Sequence, residues 1–279
     1  MKLFSGTIDA IRKYGTSKSM SLLFNLFKDS RKSRASLSAA APVSVAPVDD
    51  PARVWASEHS PELLHQRVQP HATYSPWLND REFSEVASLM HTHTLVDVYR
   101  CHELWLLARQ MKGVPGCFLE VGVWRGGTGV LLAAAARATG QQRTVYLADT
   151  FEGVVKAGEQ DTRYKGGEHA DTSMELVMEL VASMGLRDVQ PLKGIFPEDT
   201  ADRVEGPVAF LHCDVDVYQS AKDIVEWTLP RLSPGGIIVF DDYGFDGCEG
   251  VTRYANELKQ RGDFLFLHNL NGHAILIRR

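Results

Sequence analysis

The chain has 279 residues, 44% of them hydrophobic and 23% charged, enough for one sizeable core or for a core with an appended segment. Its formal net charge of −5 argues against a general nucleic-acid binder, and no run of about 18 apolar residues offers a membrane span. Four cysteines (Cys101, Cys117, Cys213, Cys248) show no CxxC pair and no zinc spacing, so reduced thiols in a cytoplasmic protein are expected.

The charge is unevenly spread. Residues 1–35 carry eight basic side chains against Asp9 and Asp29, a net +6, which leaves about −11 for the rest. Within them, SMSLLFNLFKDSRKSR has the makings of a basic amphipathic helix, but its apolar stretch is too short and broken for a signal peptide. It reads as a tail outside the chemistry, with a weak peripheral membrane contact as the alternative. The following ASLSAAAPVSVAPVDDPA reads as a linker of small residues and prolines. Residues 1–50 are therefore expected to be tail and linker, 51–112 a helical lid or cap segment, and 113–279 the main domain.

In chain order, REFSEVASLM (81–90) and CHELWLLARQMKG (101–113) have helical spacing of apolar positions, and HATYSPWLND (71–80) is a Pro-broken loop. GCFLEVGV is a first short strand, followed by WRGGTG and the Ala-rich helix VLLAAAARATG. TVYLADT is a second strand, TSMELVMELVASMG a helix stopped by Gly185, VQPLKGIF a weaker third strand, and PVAFLHCD a fourth. SAKDIVEWTLPRLSPGG predicts a helix and turn, GIIVFDD a fifth strand, and GVTRYANELKQRG a further helix. FLFLHN, LNGH and AILIRR predict a closing hairpin. Strands alternating with helices predict a mostly parallel sheet covered on both faces, with an antiparallel edge from the hairpin.

In such sheets ligands bind beyond the carboxyl ends of the strands. FLEVGVWRGGTG sits at one such end: Glu120 and Gly122 close the strand, and Gly126, Gly127 and Gly129 are expected to turn the chain into the helix. The spacing is not the dinucleotide GxGxxG, because Trp124 stands at the second glycine position, so a cofactor without a pyrophosphate is favoured. The second strand ends in Asp149, an acid placed to accept the ribose hydroxyls of a nucleoside cofactor; a turn or cap residue is the plain alternative.

FLEVGVWRGGTG, LADTFEG, KGIFPEDT, CDVDVYQS and VFDDYG, in this order, resemble the macrocin O-methyltransferase family, over residues ~90–279. The resemblance implies a Rossmann-like class I methyltransferase fold with a seven-stranded sheet and S-adenosylmethionine (SAM) as cofactor. It also implies a divalent cation such as Mg²⁺, and transfer of methyl to a sugar hydroxyl of a natural product. It puts Glu120 and Gly122 near the methionine part of SAM, and Asp149 at its ribose. Gly194 and Phe196 fall near the adenine, and Phe151 is close enough in sequence to line that pocket. The turn residues Trp124, Arg125, Gly126 and Gly127, with Thr150 after Asp149, complete the expected cofactor set. Residues 94–100 (TLVDVYR) fall where the family closes over the cofactor.

Two predicted strands end in paired acids, Asp214 with Asp216 and Asp241 with Asp242. A sugar hydroxyl is almost wholly protonated at neutral pH, so methyl transfer needs a cation that acidifies it, a base that takes its proton, or both. Carboxylates crowded at the ends of neighbouring strands repel one another, and a hard divalent cation relieves this. The family pattern makes Asp214, Asp241 and Asp242 ligands and leaves Asp216 as base, with His169 in KGGEHADTS as the rival base. Helix capping is the simple alternative for at least one of these acids. His212 reads as a core residue, and His91 and His93 are too close together to claim a metal site.

The expected partners are a small-molecule hydroxyl acceptor carrying a sugar and further copies of this chain. Three other readings stay open: a metal-dependent methyltransferase of a catechol-like phenol, a nicotinamide-dependent oxidoreductase, disfavoured by Trp124, and a non-catalytic nucleoside-binding module.

Overall fold

The computed structural model describes His65 and residues 72–279. The basic tail, the linker and the rest of residues 51–71 lie outside the described residues. Among those described, no helix is long and apolar enough to cross a membrane.

Two helices come first. Helix α1, Arg81–Met90, is started by Asp80, whose carboxylate accepts the Phe83 N–H at 3.0 Å, and it buries Phe83, Val86 and Met90 on one face. Helix α2, Val98–Gln110, starts three residues before the apolar periodicity does. Asp97 caps it by accepting the N–H groups of Tyr99 and Arg100. The last three residues of the 94–100 segment thus belong to the first turn of α2.

The remaining elements alternate. Strand β1 (Cys117–Val121) leads to α3 (Gly127–Ala138), β2 (Val145–Asp149) to α4 (Met174–Ser183), and β3 (Val189–Lys193) through a 3₁₀ turn to β4 (Val208–Cys213). Then come α5 (Tyr218–Thr228), β5 (Leu232–Phe240), α6 (Glu249–Lys259), β6 (Phe264–His268) and β7 (Ala274–Arg278). The strands form one seven-stranded sheet in the order β3-β2-β1-β4-β5-β7-β6. The first five are parallel, and β7 runs antiparallel between β5 and β6.

Successive strand side chains point to opposite faces, and the core divides accordingly. Phe118, Leu147, Phe210 and Val239 pack under α1–α4 on one face; Leu119, Ala148, Leu211 and Phe240 pack under α5 and α6 on the other. Helix α3 is buried from Gly127 to Ala136 without a break, because it lies between the sheet and the α1–α2 pair; that accounts for its run of alanines. The four cysteines are buried and free. The strand order reverses between β1 and β4, and the carboxyl ends of these two strands open onto a cleft of about 340 Å³.

Candidate active site

The β1–α3 connection is shaped by close approach. At Gly122, φ is +89° and an added Cβ would lie 1.6 Å from the Asp214 carbonyl oxygen, so only glycine lets the ends of β1 and β4 meet. Gly126 is the left-handed N-cap of α3, and Gly127 and Gly129 lie inside the first helical turn rather than in the connection. The Gly127 N–H donates to the His93 carbonyl at 2.9 Å, which ties the segment before α2 to the start of α3.

Asp149 joins two loops. Its Oδ2 accepts the Trp124 N–H at 2.8 Å and its Oδ1 accepts the Phe151 N–H at 2.6 Å. Both donors have left-handed backbones, at φ 48° and 56°. The carboxylate therefore compensates two costly conformations, and the residue borders the cleft.

Of the expected cofactor residues, Gly122, Trp124, Asp149, Thr150, Gly194 and Phe196 line the cleft. Glu120, Arg125, Gly126, Gly127 and Phe151 do not. Phe151 packs into the core under the helices. Arg125 lies over the Trp124 ring and bonds Asp171 at 2.6 Å, holding the strap that carries Tyr164 and His169. Glu120 sits fully buried inside β1, with Oε1 2.8 Å from His212 Nδ1.

All four acids of the two pairs line the cleft. Side-chain oxygens of Asp214, Asp241 and Asp242 lie within 4.8 Å of one another. None of these acids caps a helix: α5 and α6 have no side-chain cap, and Asp161, from the strap after β2, accepts the Tyr218 N–H at 2.9 Å instead. Burial, with repulsion from Asp241, pushes the Asp214 carboxyl well above the usual carboxylate range. Burial and the charges of Asp216 and Asp241 do the same to Asp242. Asp241 goes the other way. Burial alone would raise it, but hydrogen bonds from His212 and His273 and the charge of Arg100 pull it down.

Asp216 stands at the cleft in a left-handed conformation (φ 64°), its N–H donating to Asp242 Oδ2 at 2.9 Å. Burial raises its pKa, against the opposing bond from Tyr164 and the charge of His169. His169, also left-handed at φ 64°, places its ring 6.0 Å from that of Tyr164. Strained non-glycine residues facing one cleft are a common mark of a functional site. Tyr164, Cys248 and Phe245 also line it and stand out in the sequence by no motif; Arg100, the last residue of TLVDVYR, lines it too.

The donor set suits the groups the resemblance implies. Three carboxylates, two of them buried, offer the oxygen-only donors that a hard divalent cation would take. The cleft, with Asp149 at the end of β2 and the glycine approach at β1, has room and polarity for a nucleoside.

Comparison with known proteins agrees with this architecture. The chain is 35% identical over 189 residues to the 8-demethyl-8-(2,3-dimethoxy-alpha-L-rhamnosyl)-tetracenomycin-C 4'-O-methyltransferase of Streptomyces olivaceus, covering 63% of this chain and 70% of that protein. It is 32% identical over 177 residues to the mycinamicin III 3''-O-methyltransferase of Micromonospora griseorubida, covering 58% and 70%. The solved structure of the O-methyltransferase NovP superposes with a TM-score of 0.58 at 27% identity, over 67% of this chain and 82% of that one. Residues 67–265 match the profile of the macrocin-O-methyltransferases, and the chain belongs to that family.

Proposed function

We propose that this protein is a SAM-dependent, divalent-cation-assisted O-methyltransferase acting on a sugar hydroxyl of a glycosylated natural product. The observation that carries the reading is the convergence of Asp214, Asp216, Asp241 and Asp242 on the cleft that Asp149 borders. That curated relatives with at least 30% identity are named for methylating natural products, two of them at sugar positions, supports the choice of acceptor.

When bound, SAM supplies the electrophilic methyl and a divalent cation held by Asp214, Asp241 and Asp242 supplies acidity to the acceptor hydroxyl. The rest falls to the chain. Asp149 accepts ribose hydroxyls with the lone pairs that its two loop bonds leave free. Gly194 and Phe196 border the base end of the cleft, where Phe196 is braced edge-on by Trp227 at 4.9 Å. Asp216 takes the hydroxyl proton as the oxygen–methyl bond forms and the sulfur–methyl bond breaks, leaving a neutral thioether. Its raised pKa makes it a better proton acceptor than a solvated carboxylate.

The test is methyl transfer from labelled SAM to a panel of glycosides and catechols, with chelator and then added Mg²⁺. Transfer to glycosides, lost with chelator and regained with Mg²⁺, is expected. Undiminished transfer in excess chelator removes the cation, and transfer confined to catechols removes the sugar.

A further inference from the structure

Glu120, His212, Asp241 and His273 form a row across four adjacent strands. Glu120 on β1 is register partner of His212 on β4, Asp241 directly follows β5, and His273 directly precedes β7. All point to the α2 side of the sheet, and none is more than 2% exposed. The row is bonded end to end. His212 Nδ1 meets Glu120 at 2.8 Å, and His212 Nε2 meets Asp241 Oδ1 at 3.4 Å. His273 Nε2 meets the same Asp241 oxygen at 2.9 Å, and His273 Nδ1 meets Glu103 on α2 at 2.5 Å. Arg100 Nη1 donates to the other Asp241 oxygen.

Each ring is clamped between two carboxylates, one at either nitrogen. Both rings reach Oδ1 of Asp241, whereas Oδ2 accepts from Arg100 alone among the described residues, which leaves one lone pair of Oδ2 to share with a cation.

We propose that His212 and His273 are positioning residues that hold Asp241 as a fixed, one-oxygen ligand, with Glu120 and Glu103 fixing the two rings. Carboxylate–histidine pairs are familiar behind metal ligands, where the imidazole is itself the ligand. Here the imidazole is one step further out and aligns a carboxylate. The inference rests on the cation reading above and separates from it experimentally.

Mn²⁺ binding to the whole protein is measured by calorimetry or electron paramagnetic resonance, alongside S-adenosylhomocysteine binding and thermal melting. His273→Leu is expected to weaken Mn²⁺ about 10–100-fold with S-adenosylhomocysteine affinity unchanged. His273→Gln, which restores a donor near Nε2, is expected to recover most of that loss. Glu103→Leu, a half-buried helix position, serves if His273→Leu does not fold, with a smaller loss expected in the same direction. Wild-type-like Mn²⁺ affinity in the folded His273→Leu or Glu103→Leu protein overturns the proposal, as does a Gln variant no better than Leu. Absence of Mn²⁺ binding to the wild type overturns the cation reading and the proposal with it.

Discussion

Asp216 and Asp242 are joined by one backbone hydrogen bond, yet their expected roles differ in a measurable way. A lost ligand can be offset by mass action, whereas a lost proton acceptor cannot. Asp216→Asn is expected to leave Mn²⁺ and S-adenosylhomocysteine binding intact and to lower turnover about 10²–10⁴-fold at saturating Mg²⁺. Asp242→Asn is expected to regain part of its activity as Mg²⁺ rises. A titration of rate against Mg²⁺ for both variants decides. If Asp216→Asn is the one rescued, Asp216 is a ligand and His169, which shares the cleft, is left as the base. The acids were legible because two hydrophobic runs ended in pairs of them. His212 was not, since an apolar strand gives no hint that the side chain between Leu211 and Cys213 meets a carboxylate on each side. Only the strand register, with Glu120 beside it, shows why a histidine sits there.

At the scale of elements, the β1–α3 connection is the most constrained. A methyl group at residue 122 has no room, because the Asp214 carbonyl of the neighbouring strand fills the space. The left-handed backbone adds about 1–2 kcal/mol for any other residue. Gly122→Ala is therefore expected to cost more than that strain alone and to push apart the strand ends that border the cleft. Urea unfolding measures it; a loss below about 1 kcal/mol contradicts the packing described. Most element positions follow from the period of apolar residues. The starts of α2 and α3 did not, because capping by Asp97 and by the left-handed Gly126 fixed them rather than periodicity. Phe151 was expected at the pocket on sequence proximity alone. Its left-handed backbone turns it into the core instead.

Across the whole molecule, the proposed cation site would couple cation binding to stability. Unfolded carboxyls ionise near pH 4, but burial and mutual repulsion keep Asp214 and Asp242 protonated to higher pH in the folded chain. Above pH 4 the folded state then holds more protons than the unfolded one, so stability without a cation falls as pH rises through that window. On the proposed function, a divalent cation would replace those protons. Mg²⁺ is expected to raise the melting temperature more at pH 8 than at pH 5.5; an equal or larger gain at the acid pH would contradict this. The alternation of strands and helices made the parallel sheet legible. That β7 lies between β5 and β6, and so brings His273 beside Asp241, is a long-range fact no local pattern carries.

That strand order has a cost while the chain is being made. β5 leaves the ribosome well before the strand that covers its free side, and β6 emerges without its neighbour β7. Until β7 appears, the edge along Ile237, Ile238 and Val239 offers unpaired backbone groups on an apolar strand, a template for pairing with another nascent chain. The His273–Asp241 contact and the safety of the sheet thus arrive together, with the last strand to be synthesised of those described.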